Sequence, residues 1–143
     1  MSGYLVFEIG GHELAAPLAE VREVVRVARL DALPGLEPPV TGLMQLRGSP
    51  VPVADLRRGE RSAEEVGDVV LLAMPDGSLL GVAVERVIAV VPGDALVADE
   101  AGVVPSGFPS YVTGVLRRVE RPEETVFLVT MSKLVSALVA VPA

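Results

Sequence analysis

With 143 residues, half of them apolar, and a formal charge of −7, the chain suits one compact domain or two small lobes sharing a core. Its basic residues are outnumbered, 12 Lys and Arg against 19 Asp and Glu, which argues against a nucleic-acid partner, since phosphate binding needs a basic surface. There is no cysteine, hence no disulfide framework, thiolate metal site or thiol nucleophile, and the single histidine, His12, cannot build a multi-histidine metal site.

The first predicted strand is YLVFEI (4–9), followed by Gly10-Gly11 and then HELAAPL. Two glycines between apolar runs signal a hairpin, because both turn positions can take positive φ. Over 17–27 the apolar residues at 18, 21, 24 and 25 predict a turn of helix running into a strand. VTGLMQLRG from Val40, a turn at Gly48-Ser49 and PVPVADL predict a second hairpin. The charged, aperiodic RRGERSAEEVG (57–67) reads as an exposed link. DVVLLAM (68–74), Asp76-Gly77 and SLLGVAV form a third hairpin, and VTGVLRRVE from Val112 with TVFLVTM a fourth. MSKLVSALVA (131–140) places apolar residues at 131, 134, 135, 138 and 139 on one helical face, with Thr130 or Ser132 as a cap. No apolar run approaches the roughly 20 residues of a membrane span, and the N-terminus lacks a basic segment before a long apolar stretch. The expectation is a soluble, cytoplasmic protein without membrane insertion.

The elements repeat. A shift of 66 places Gly10-Gly11 on Asp76-Gly77, Leu14 on Leu80, Ala16 on Val82, Leu18 on Val84, Val21 on Val87 and Val24 on Val90. A shift of 72 places VTGLMQLRG on VTGVLRRVE, the six extra residues falling between Val91 and Tyr111. The fold class expected is mainly β, hairpin, connector, hairpin occurring twice, with a shared hydrophobic core and a short C-terminal helix. The repeats would span 4–57 and 68–130 with a linker at 58–67, able to exchange strands, within one domain of 1–143. Lobes of about 60 residues are marginal alone, so they should share an apolar seam where a partner can dock.

No catalytic set emerges. His12 beside a Gly-Gly turn reads as an exposed histidine before a catalytic one. Asp55 and Glu85 each end an apolar strand in different hairpins, suiting turn caps or arginine partners at least as well as acid–base work. Ser49 lacks nucleophile-elbow spacing, and no glycine run forms a phosphate loop. No enzyme activity, cofactor or metal is expected. Arg47, between an apolar strand and a turn, is the unusual feature: its guanidinium fork suits a carboxylate. That carboxylate could be a partner's or could be Glu23 or Asp55, and a pair that opens on binding would serve both.

PPVTGLMQLRGSPVPVADLR resembles the P-x-x-V-x-G-x-x-x-L-R-G-x-x-x-P-V-x-D-L-R signature of the CheW family of chemotaxis coupling proteins. The resemblance continues through YLVFEIGGHELAAPLAEVREVV, GVAVERVIAVV, SYVTGVL and TVFLVTMSKLV. It implies two small five-stranded SH3- or OB-like β-barrel lobes and a non-catalytic scaffold that binds the regulatory domain of the CheA histidine kinase and the cytoplasmic tip of chemoreceptors. It further implies a monomer in dilute solution, recruited to membrane-associated receptor arrays. Matched to the motif, Val21, Glu23, Gly42, Arg47, Gly48, Val69 and Val90 are the implied partner-binding positions. Gln45, Glu85 and Thr130 depart from the family pattern and leave partner choice open. A chemosensory paralogue, an array filler lacking the receptor groove, and a small β-barrel enzyme or ligand-binding protein stand as alternatives.

Overall fold

The computed structural model describes residues 3–27, 30–31, 40–57, 67–74 and 76–139. Among these residues eleven strands and one α-helix follow in order: β1 (Tyr4–Ile9), β2 (His12–Pro17), β3 (Glu23–Arg26), β4 (Val40–Leu46), β5 (Ser49–Asp55), β6 (Asp68–Ala73), β7 (Leu79–Val84), β8 (Arg86–Val91), β9 (Leu96–Ala98), β10 (Val112–Arg118), β11 (Thr125–Val129) and α1 (Met131–Val139). The helical spacing after Pro17 yields a single 3-10 turn, Leu18–Glu20, before β3. Residue 140 of the expected helix, and 58–66 of the expected link, lie outside the described residues.

Two sheets form, ordered β8-β1-β2-β11-β10-β9 and β3-β6-β7-β5-β4. One of them thus has six strands where five were expected. The additional strand, β9, pairs with β10 from within the connection between Val91 and Tyr111. Its three residues are too short for a periodic signal.

Neither sheet is the product of one repeat. β3 leaves the first hairpin to pair with β6, and β8 leaves the third hairpin to pair with β1. The exchange is symmetric to the residue: Val24 pairs with Val70, and their repeat mates Val90 and Leu5 pair in turn. Likewise β5 runs parallel to β7 with Val53 opposite Gly81, while β11 runs parallel to β2 with Leu128 opposite Ala15. β4 and β10 even carry their register shifts at matching places, Val40/Gly42 and Val112/Gly114. One refinement to the repeat concerns the third hairpin. Phe7 opposite Leu14 corresponds to Leu72 opposite Leu80, so the shift is 65 on the first strand and 66 on the second. The difference lies in the turn: two residues separate Ile9 from His12, and three separate Met74 from Ser78.

The swap explains why these hairpins read as continuous apolar runs. In β1, Leu5 and Phe7 enter one core and Val6 another; in β6, Val70 and Leu72 enter one and Val69 and Leu71 another. Each hairpin is buried on both faces, so period-two alternation disappears. The core holding Leu5, Phe7, Val70, Leu72, Leu80 and Val82 is shared by both sheets and closed by Met131 and Leu134 of α1. Among the described residues the buried core holds no polar or charged residue. At the start of α1 the Thr130 carbonyl accepts from the amides of Lys133 and Leu134, while its hydroxyl lies 2.7 Å from Thr113 Oγ1.

Candidate functional site

The chain crosses from the six-stranded to the five-stranded sheet at Val21 and Arg22. The amide of Val21 donates to the Leu18 carbonyl at 3.1 Å and that of Arg22 to the Leu71 carbonyl at 2.8 Å. Val21 is half-buried against the shared core. β3 then runs as an edge strand with alternating exposure: Val25 packs inward, and Val24 and Arg26 face solvent.

Across from it, β4 and β5 are joined by two residues, Arg47 at φ 50° and Gly48 at φ 84°. Two successive left-handed residues make a type I′-like turn that matches the strand twist. Arg47 is the one non-glycine residue with positive φ among those described, a conformation L side chains seldom adopt. The turn carries the guanidinium to the tip of the hairpin, where Nη2 meets Glu23 Oε1 at 2.6 Å. β3 and β4 are the two edges of their sheet, so this ion pair links an edge strand to the hairpin that holds the opposite edge. Arg47's hydrogen bond and its charge hold the Glu23 carboxyl below its ordinary range, and Glu23 raises the Arg47 guanidinium in return. Both groups are reached by solvent, so the pair is weakly held and open to exchange.

Asp55, the other candidate for Arg47, is taken by Arg57. Nη2 lies 2.6 Å from Oδ2, and Nε and the backbone amide each lie 2.9 Å from Oδ1. The Arg57 side chain is only 4% exposed, which makes this a structural pair closing the end of β5. Glu85 accepts the Gly10 amide at 2.9 Å and donates its own amide to the Glu8 carbonyl, pinning the β7–β8 crossover to the first hairpin. The two carboxylates therefore serve separate structural ends and do not converge. His12 packs its ring at 5.3 Å from Phe108 and 5.7 Å from Phe127.

The remaining expected site residues divide. Gly42 is buried in β4: a Cβ there would sit 3.0 Å from Leu30 Cβ and 3.1 Å from the Asp31 carbonyl. Its role is to let residues 30–31 cross β4, where Asp31 and Leu43 exchange both backbone hydrogen bonds. Val69 is fully buried opposite Val25, so it supports β3 from behind and has no surface of its own to offer a partner. Val90 stands 61% exposed on β8, an edge of the other sheet. Glu23, Arg47 and Gly48 thus gather at one surface with Val21 beside it, Val90 belongs to the second edge, and Gly42 and Val69 lie beneath. Val24, 38% exposed on the same strand as Glu23, is the repeat mate of Val90 and is not among the positions the family motif implies.

The chain matches the family model of the CheW-like domain over residues 3–139. It is 35% identical over 54 residues to the chemotaxis protein CheW of Bacillus subtilis (strain 168), a stretch covering 38% of this chain and 35% of that protein. The aligned stretch thus spans about a third of that relative. Its fold is similar to the crystal structure of the scaffolding protein TtCheW from Thermoanaerobacter tengcongensis, with a TM-score of 0.69 at 19% identity, covering 90% of this chain and 88% of the other.

Proposed function

The chain belongs to the CheW-like domain family, and on that premise we propose that it is a non-catalytic adaptor coupling chemoreceptors to a CheA-type histidine kinase. The observation that carries this reading is the solvent-reached Glu23–Arg47 pair between β3 and the β4–β5 turn, bordered by the exposed Val24. A partner carboxylate can replace Glu23 on the Arg47 fork, while an apolar partner face covers β3. The charge pair would set register and the apolar contacts would supply most of the affinity. Val90 offers a comparable apolar contact on β8, which gives one adaptor two separate surfaces for kinase and receptor. Gln45, exposed beside Arg47, stands where it can modulate partner choice.

On this reading the protein works in the cytoplasm, recruited to membrane-associated receptor arrays, and is a monomer in dilute solution. Among the described residues no helix is long and apolar enough to cross a membrane. The test is a titration of the chain against the regulatory domain of a CheA-type kinase, and separately against a receptor cytoplasmic tip, from the same organism. Micromolar or tighter binding to both is expected. Arg47→Ala and Val90→Asp should each weaken one partner selectively. Absence of binding to either partner would sink the proposal.

A further inference from the structure

Away from the edges just described, a cleft of about 440 Å³ opens at the other end of the first hairpin. Its volume falls within the range of about 300–1,000 Å³ typical of small-molecule sites. Leu14 and His12 of β2, Phe108 and Tyr111 of the loop before β10, Leu56 just after β5, and Ser106 at the exposed rim all line it. The cleft therefore has walls from both sheets.

Its walls are held in place before any ligand arrives. The Gly10 amide is fixed by the Glu85 carboxylate, and the Leu56 amide donates to the Ala83 carbonyl at 3.0 Å. Phe108 is braced by Phe127, with ring centroids 4.9 Å apart, and by His12. The lining is aromatic and aliphatic, and apart from His12 it includes no acidic or basic side chain. Its side-chain polar groups are the Tyr111 and Ser106 hydroxyls and the imidazole. Burial raises the Tyr111 phenol, which keeps it a neutral hydrogen-bonding group.

We propose that this cleft is a binding site for a small, uncharged, planar aromatic molecule carrying one or two hydrogen-bonding atoms. Ring faces and aliphatic side chains provide the apolar contact, and the hydroxyls orient the ligand. A charged ligand would be desolvated with no arginine, lysine or carboxylate side chain in the lining to meet it. A molecule seated here touches Leu14 in one sheet and Leu56 beside the other, so its binding bears on how the two sheets are held together. None of the positions assigned to partner docking lines the cleft, and its test stands apart from the adaptor reading.

The experiment is an amide-resolved NMR titration of the full chain with indole, repeated with indole-3-carboxylate and with the Ser106→Trp variant. Ser106 is exposed, so the variant closes the mouth without touching the core. Saturable shifts are expected for the amides of Gly10, His12, Gly107 and Val112. Binding should weaken by at least about tenfold both for the carboxylate and in the variant. No saturable shift up to the solubility limit of indole would overturn the site. Shifts unaffected by Ser106→Trp would place binding elsewhere, and equal affinity for the carboxylate would overturn the neutral ligand class.

Discussion

Gly81 offers the sharpest test of how the exchanged strands pack. It lies in β7 between Leu71 of β6 and Val53 of β5, at the centre of the five-stranded sheet. A methyl added there would stand 2.9 Å from Val69 Cγ1 and 3.1 Å from Val53 Cγ2. Both valines are fully buried, and β-branched side chains are stiff at χ1, so neither can swing away. Overpacking of this kind costs about 1–3 kcal/mol. Lower entropy of the unfolded chain returns about 0.4–1 kcal/mol to an alanine. Gly81→Ala should therefore lose about 1–2 kcal/mol net. The repeat mate, Ala15, is fully buried yet carries its methyl, which locates the crowding in Val53 and Val69 and not in the backbone. Val69→Ala removes two methyl groups, worth about 0.8 kcal/mol each before any cavity term. In the double variant the new methyl occupies the vacated space, so the losses should fall short of additivity by about 1 kcal/mol. Urea unfolding of the four proteins measures this. A neutral or stabilising Gly81→Ala, or strictly additive losses, would refute the packing argument.

Further outcomes follow from single contacts. Glu85→Ala should cost about 1–2 kcal/mol and expose the Gly10 amide to hydrogen exchange, because a part-buried donor loses its acceptor; Glu85→Gln, which keeps an oxygen, should cost less. Glu23 has a folded-state pKa below its unfolded value, so its pair with Arg47 contributes above the ordinary glutamate range. That contribution is lost as pH falls through the lowered value. NMR titration of the Glu23 carboxyl should accordingly show an upward shift in Arg47→Ala, and an unchanged midpoint would contradict the pair. Val90→Asp should change stability by less than about 1 kcal/mol, since the side chain faces water. Val69→Asp should unfold the domain, because it buries a carboxylate in an entirely apolar core.

The hairpins were legible because their signals are local: Gly10-Gly11, Asp76-Gly77 and the apolar runs beside them act within a dozen residues. The duplication was legible for the same reason, and it located Val24 and Val90 as mates before any strand was paired. The partner of each strand was not. β3 follows β2 in the chain but pairs with β6, a choice set by which apolar face fills which core and not by any residue in 17–27. Val69 illustrates the cost. In an unbroken apolar run nothing distinguishes Val69, turned into the interior of its own sheet, from Val70, turned to the shared core. Arg47 was legible as an outlier, and the geometry chose Glu23 over Asp55 because Arg57, two residues along, already satisfies Asp55. The cleft at Leu56 and Tyr111 had no signal, since its walls come from three separate chain segments, around His12, Leu56 and Phe108, that only folding brings together.

The most direct test of the coupling claim is co-sedimentation of the kinase with receptor-bearing membranes, with and without this chain. The kinase should pellet only when the adaptor is present, and Arg47→Ala and Val90→Asp should each reduce the amount pelleted while remaining folded. Kinase recruitment that is indifferent to the chain, or intact with both variants, would contradict it.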